Sequence, residues 1–196
     1  MSYIVTIDGT AGPSIHSVAV IEASRRVLRR KGFHLDTVVA RNLPIPALSR
    51  SPLDSSALEA AQCLIDQAQG VILVTSCRET PASALWQTLL SALPQSTFQE
   101  RAILPILLGE SGVPCRSVDG VLKPFLASLG AGPLLRPLSI KEAQIQVEHG
   151  GRVRLEEGAA ARLQDSLEAV IDASNRIAAG YIDRQALAGS LLSSYL

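Results

Sequence analysis

Residues 70–76 read GVILVTS, a run in which almost every side chain is β-branched or leucine. A strand without polar alternation is covered on both faces, as is the central strand of a parallel sheet flanked by helices. Helices are predicted on either side of this run, at about 56–68 and 82–93. The run therefore predicts an α/β fold in which this strand lies near the middle of the sheet.

The alternation of strand and helix continues outward from that run towards both ends of the chain. Strands are predicted at 3–8, 34–40, 101–109 and 132–140, further helices at 17–32, 118–129 and 156–177, and a hairpin at 144–155. Because β-α-β connections share one hand, this order predicts an α/β fold with a doubly wound, five-stranded parallel sheet and helices on both faces. We divide the chain into a domain at 1–178 and a helical tail at 179–196.

Two local features accompany these elements. Ser17 is predicted to cap the first helix, because the apolar positions of that helix begin at Val18. Pro105 lies inside the fourth predicted strand, where its nitrogen has no hydrogen to donate to a neighbouring strand. The sequence predicts either a bulge or a local sheet edge at this proline.

Composition limits the class of protein. The 196 residues contain 18 basic and 18 acidic side chains without a block of like charge, so we expect no nucleic-acid partner. Apolar residues make up 47% of the chain, but no run approaches the roughly 20 residues that span a bilayer, so we expect no membrane partner. Met1 is followed by a strand and not by a signal sequence, which favours a cytoplasmic protein.

The cysteines and histidines are few and widely separated. Cys63, Cys77 and Cys115 form no CxxC pair, and the three histidines form no HxH or HExxH pattern. These spacings predict free thiols and no metal site.

The loop after the first strand, DGTAGPSIHS at residues 8–17, combines two glycines with several hydroxyls at the start of a helix. In open α/β sheets, ligands bind beyond the carboxyl ends of the strands, and a helix N-terminus favours an anion. The loop matches neither GxGxxG nor GxxxxGK[ST], so a monophosphate is favoured over a dinucleotide. A glycine and hydroxyl loop that binds nothing remains the alternative.

Two further loops follow the third and fourth predicted strands. The first, TSCRETPAS at 75–83, leads into a helix that carries Trp86, and its side chains are placed to flank a planar ligand. The second, GESG at 109–112, has two glycines that allow its amides to approach a ring edge. A solvated Arg78 and Glu79 pair and an ordinary turn remain the alternatives.

Three segments are similar to those of a known family. They are GVILVTSCRETPASALWQTLLSALP (70–94), RAILPILLGES (101–111) and VDGVLKPFLASLGA (118–131). Over about residues 3–175 the chain resembles the flavodoxin-like NAD(P)H-dependent FMN reductases, the reductase components of two-component flavin monooxygenases of the alkanesulfonate or chelator type. The resemblance includes Pro105, since the family carries a proline at this point of its fourth strand.

The resemblance implies FMN and NAD(P)H as cofactors, and hydride transfer from a nicotinamide to the flavin without a protein acid or base. It implies that the FMN phosphate is held by Thr10, Ser14, His16 and Ser17. It implies that the flavin ring is contacted by Thr75, Ser76, Cys77, Arg78 and Glu79, and approached on its far side by Gly109 and Glu110. The implied partners are flavin and nicotinamide nucleotides, a flavin-dependent monooxygenase, and further copies of the chain in a homodimer or homotetramer.

All three flavin loops depart from the family's pattern. Gly12 lies near the position of the family's arginine, the second loop lacks the family's proline and tyrosine, and Glu110 replaces a glycine. These departures keep a second hypothesis open, that of a relative with a degenerate flavin site acting as a non-enzymatic binding or interaction subunit. A third hypothesis is a quinone or azo-compound reductase with a bound flavin.

Overall fold

Five parallel strands form the central sheet. The computed structural model describes residues 2–43, 56–77, 85–109, 116–147 and 153–193. The strands are β1 (Ser2–Asp8), β2 (Phe33–Val39), β3 (Gly70–Ser76), β4 (Ala102–Gly109) and β5 (Leu138–Lys141). They are ordered β2-β1-β3-β4-β5, and every neighbouring pair is parallel. The predicted five-stranded, doubly wound sheet is confirmed.

Five helices cover the two faces of this sheet. They are α1 (Ile15–Arg30), α2 (Ser56–Gln67), α3 (Leu85–Ala92), α4 (Arg116–Ser128) and α5 (Glu157–Ser193). One apolar core lies between the sheet and α2, α3 and α4, around Ile65, Leu89 and Leu122. The other lies between the opposite face and α1 and α5, around Val20 and Leu163. Each strand of the sheet interior therefore faces helices on both sides, which explains its unbroken apolar sequence.

The segment after β5 forms the predicted hairpin. Strands β6 (Ile145–Val147) and β7 (Val153–Leu155) pair in antiparallel fashion, with Ile145 opposite Leu155. Both of these side chains are buried in the core that contains α1 and α5. The hairpin thus forms a separate small sheet that adds to the core around α1 and α5.

Pro105 is accommodated at a local edge without a bulge. Strand β4 is buried throughout and pairs with β3 in unbroken register, with Pro105 opposite Leu73. On the side of β4 away from β3, the Ile103 amide donates to the Pro133 carbonyl and the Ile103 carbonyl accepts from the Leu135 amide. The Pro105 nitrogen lies two residues further along the strand and therefore faces the same side. Pairing of β4 with β5 begins only at Ile106, opposite Leu138, and the missing donor therefore faces residues that form no strand.

The first helix begins earlier than predicted. Ser14, with extended backbone angles, is the N-cap residue of α1, and its side chain accepts a hydrogen bond from the Ser17 amide at 3.2 Å. The prediction that Ser17 caps the helix is wrong, because Ser17 lies in the first turn and is fully buried. Both serines suit a cap by residue type, so the sequence alone did not distinguish them.

The C-terminal part of the chain is one long helix. Helix α5 runs without interruption through 37 residues, and the proposed boundary between residues 178 and 179 falls inside it. No helix in the described ranges is both long and apolar enough to cross a membrane.

Candidate functional site

The carboxyl ends of the strands meet at a cavity of about 420 Å³ beside the start of α1. Its position is the point at which the strand order reverses, since β1 is followed along the chain by β2 on one side and β3 on the other. The cavity is lined by Thr10, Gly12, Pro13, Ser14, Ile15, His16, Ser76, Leu108 and Glu142. The ends of β3 and β4 and the segment after β5 thus converge on the loop after β1.

The floor of this cavity is the first turn of α1. The N–H groups of a first helical turn have no partner within the helix, and the helix dipole places positive potential there. The Ser14 hydroxyl takes up one of these groups by capping the Ser17 amide. The remaining amides, the Ser14 hydroxyl and the His16 ring form a donor set that suits a small anion.

Three of the four predicted phosphate ligands line the cavity, and one of these three, Thr10, is also bonded to Asp8. Ser14 and His16 line the cavity, and both are partly exposed. The Thr10 hydroxyl lies 2.7 Å from Asp8 Oδ1, and the Ser17 hydroxyl lies 3.2 Å from Asp8 Oδ2. Thr10 still borders the cavity, whereas Ser17 is fully buried and does not.

Asp8, the last residue of β1, holds the loop that borders the cavity, and it was not predicted from the sequence. Its side chain is only 2% exposed, and it accepts hydrogen bonds from the Thr10 amide, the hydroxyls of Thr10 and Ser17, and Arg41 Nη1. A buried carboxylate needs such donors because water no longer solvates it. The signal in the sequence was an acidic residue at the end of a buried strand, which predicts a nearby cation.

Arg41 provides that cation and was also missed. It follows β2 in a 3-10 turn (Ala40–Asn42), and its Nη1 lies 2.9 Å from Asp8 Oδ2 and 3.4 Å from Thr10 Oγ1. Strands β1 and β2 are paired with Asp8 opposite Val39, so the turn after β2 is carried to the same edge as the loop after β1. No local spacing connects residues 33 positions apart, and only the sheet register brings them together.

Glu142 brings a second carboxylate to the cavity from the end of β5. Its Oε1 lies 3.9 Å from His16 Nδ1, and both side chains are about one quarter exposed. The contact joins the start of α1 to the segment after β5 across the cavity.

The predicted ring-binding residues are only partly described. Ser76 lines the cavity at the end of β3, and Gly109 is buried at the end of β4, opposite Lys141 of β5. Thr75 is fully buried in β3 and lies outside the cavity lining. Arg78, Glu79 and Glu110 lie outside the described residues.

The prediction of free thiols holds for one described cysteine and fails for the other. Cys63 is a free, exposed thiol, but Cys77 is disulfide-bonded, so the prediction of free thiols is wrong for Cys77. Cys77 immediately follows β3, and its amide donates to the Leu108 carbonyl at 2.7 Å. A disulfide sulphur is not a nucleophile, which excludes thiolate chemistry at this residue while the bond persists. Among the described residues, no group of three or more metal-ligating side chains comes together.

Gly9 joins the cavity loop to the core beneath it. Its amide donates to the Val74 carbonyl at 2.8 Å, and a Cβ at this position would lie 2.6 Å from the Cβ of Trp86. Trp86 is only 2% exposed and packs edge-on against Phe125. The glycine is therefore required where the loop passes over the tryptophan.

The comparison with characterised proteins identifies the family. The chain is 31% identical over 166 residues to the NADPH-dependent FMN reductase of Pseudomonas putida, covering 84% of each protein. This chain belongs to the FMN reductase family. It is also 25% identical to the Escherichia coli FMN reductase (NADPH), over 88% of this chain and 90% of that protein.

The chain is also similar in fold to a solved structure. The apo form of an NADH:FMN oxidoreductase superposes with a TM-score of 0.70 at 24% identity, covering 87% of this chain and 88% of the other. No protein-family model matches the sequence. The family assignment therefore depends on relatives and on a shared fold, and it agrees with the resemblance found in the three sequence segments.

Proposed function

We propose that this protein is an NAD(P)H-dependent FMN reductase that supplies reduced flavin to a partner monooxygenase. The observation that supports it is the cavity at the reversal of strand order, with a helix N-terminus as its floor. The FMN reductases of Pseudomonas putida and Escherichia coli are relatives over more than four fifths of the chain. When bound, FMN supplies the redox chemistry by accepting hydride from the reduced nicotinamide.

The donors present fit the phosphate end of FMN. A phosphate monoester is a small anion, and the amides of the first turn of α1, the Ser14 hydroxyl and the His16 ring all donate to anions. The cavity volume of about 420 Å³ falls in the range of small-molecule sites. Ser76 and Leu108 border it from β3 and β4, the side on which the flavin ring is proposed to lie.

The residues of the chain then act by binding and orientation. Ser14 and His16 hold the phosphate, and the ends of β3 and β4 set the position of the ring relative to the nicotinamide. A hydride transfer between two bound rings needs alignment more than it needs a protein acid or base.

The enzyme assay has two independent readouts. Purified protein with FMN is expected to oxidise NADPH or NADH, followed by the loss of the reduced nicotinamide absorbance, and calorimetry is expected to show FMN binding. Delivery to a monooxygenase predicts that reduced flavin leaves the protein, which an anaerobic dialysis of the reduced mixture measures. Neither oxidation nor binding with either nicotinamide would overturn the proposal.

One observation supports the non-enzymatic alternative. The hydroxyls of Thr10 and Ser17 point to Asp8, so two of the groups expected to hold phosphate are engaged within the protein. That alternative predicts no nicotinamide oxidation with any flavin, and tight FMN binding with turnover rules it out. A quinone or azo-compound reductase is distinguished by ping-pong kinetics with a flavin that stays bound.

We place the protein in the cytoplasm and expect a homodimer or homotetramer. Leu89 and Leu90 of α3 and the following Leu93 do not support that association, since each is at most 4% exposed and belongs to the core of the single chain. Light scattering of the purified protein gives the number of copies.

A further inference from the structure

A buried carboxylate is bonded to the loop that borders the proposed anion site, through Thr10. The Asp8 carboxylate is 2% exposed and is held by the amide and hydroxyl of Thr10 and by the Ser17 hydroxyl. Repulsion between a carboxylate and a phosphate is strong where little water screens it. An anion therefore binds at this loop only if a cation offsets this charge.

The loop itself supplies no permanent cation. Residues 9–17 contain neither lysine nor arginine. The His16 ring, the titratable group of the loop, is engaged at 3.9 Å by Glu142, which carries a charge of the same sign as a phosphate. The positive charge has to come from another segment of the chain.

Arg41 delivers a guanidinium to this position from the end of β2. One nitrogen, Nη1, makes both contacts, at 2.9 Å to Asp8 and at 3.4 Å to Thr10 of the loop. Neither of these contacts uses Nε or Nη2. Arg41 does not itself line the cavity, but it contacts Thr10, which does, and its side chain is 22% exposed whereas that of Asp8 is 2% exposed.

We propose that Arg41 contacts the phosphate of FMN in addition to Ser14 and His16, and that Asp8 is a positioning residue that holds its guanidinium at the loop. A planar guanidinium suits phosphate oxygens better than an ammonium does, because it offers several donors in a fixed geometry. This inference depends on the proposed function, and it adds a phosphate-binding residue that lies outside the loop after β1.

The test compares FMN with riboflavin, which has the same ring and no phosphate. The Arg41→Gln variant is expected to bind FMN about ten- to a hundredfold more weakly than the unaltered protein, the range for one charged hydrogen-bonding group, while riboflavin binding changes less than twofold. Inorganic phosphate is expected to compete with FMN in the unaltered protein and much less in the variant. Arg29→Gln, at an exposed position in the last turn of α1, is the matched control and should change neither affinity.

A double substitution separates phosphate recognition from simple charge balance. If Arg41 only neutralises Asp8, then Asp8→Asn combined with Arg41→Gln restores FMN binding to the level of the unaltered protein. Direct recognition predicts that the double variant stays at least tenfold weaker. Arg41→Lys, which leaves Asp8 intact and keeps the charge, is expected to fall between Gln and Arg. If the Asp8 substitution prevents folding, the FMN affinity of Arg41→Lys distinguishes the two roles instead, because charge balance alone predicts no loss of affinity in this variant.

Each outcome bears on a different claim. An equal loss of FMN and riboflavin binding in Arg41→Gln, or restored binding in the double variant, overturns the role of Arg41. An unchanged FMN affinity with a raised KM for NADPH but not for NADH also overturns it, and assigns the guanidinium to the nicotinamide nucleotide. If the unaltered protein binds neither FMN nor riboflavin, the proposed function fails first.

Discussion

Replacing Gly9 with alanine tests the contact between the cavity loop and the core. The new Cβ would lie 2.6 Å from the Cβ of Trp86 and 3.3 Å from the Val74 carbonyl. Carbon atoms prefer separations of about 3.5–4.0 Å, so the loop and the tryptophan must move apart by roughly 1 Å. Neither side moves freely, because the Gly9 amide is bonded to Val74 and Trp86 is 2% exposed.

The cost of such overpacking is about 1–3 kcal/mol of unfolding free energy. In a chain of this size each kcal/mol lowers the melting temperature by about 2–4 °C, so a fall of roughly 2–12 °C is expected for Gly9→Ala. Thermal and urea unfolding without flavin measure it. Gly12→Ala is the matched control in the same loop, since its Cβ would meet nothing within 4 Å, and its stability should be unchanged or slightly raised.

Equal melting temperatures for Gly9→Ala and Gly12→Ala would refute the close approach of the loop to Trp86. A loss of stability in both variants would show that the loop tolerates no side chain, and that the packing on the tryptophan is not the reason.

Three further predictions concern stability. Arg101→Met is expected to cost about 2–4 kcal/mol in urea unfolding, because its guanidinium donates to main-chain carbonyls of α2 and of the turn before β4 at 2.6–3.2 Å. The pKa of Glu168 is lowered chiefly by the hydrogen bond from Lys31, at 2.8 Å. The stability that this contact adds is therefore present at neutral pH and is lost as the pH falls through the lowered pKa. Lys31→Met should differ from the unaltered protein at pH 7 and converge with it in acid, and a constant difference would contradict the assignment. Ser14→Ala removes the cap of α1 and should cost about 1 kcal/mol, with a lower FMN affinity than the unaltered protein.

The order of elements was predictable because the buried strands are nearly pure in apolar residues. Strands β3 and β4 are buried over almost their whole length, and runs of this kind have few alternative structures. The start of α1 was not predictable in the same way. Ser14 and Ser17 are equivalent caps by residue type. They differ in a contact distant in sequence, since the Ser17 hydroxyl donates a hydrogen bond to Asp8, nine residues away.

The candidate site was predictable only where it is local. Ser14 and His16 are two residues apart where a loop of recognisable composition meets α1, and both line the cavity. Arg41 and Glu142 reach it from the ends of β2 and β5, and their approach depends on which strands are neighbours. Composition and spacing carry no information about that adjacency until the strand order is known.

The late start of β5 has a consequence for how copies of the chain meet. The outermost strand on that side has four residues, and it follows a stretch without regular pairing beside Pro105. An edge this short presents few unpaired main-chain groups to a passing molecule, which protects against sheet-to-sheet aggregation. The proposed homodimer or homotetramer is therefore expected to form away from this margin.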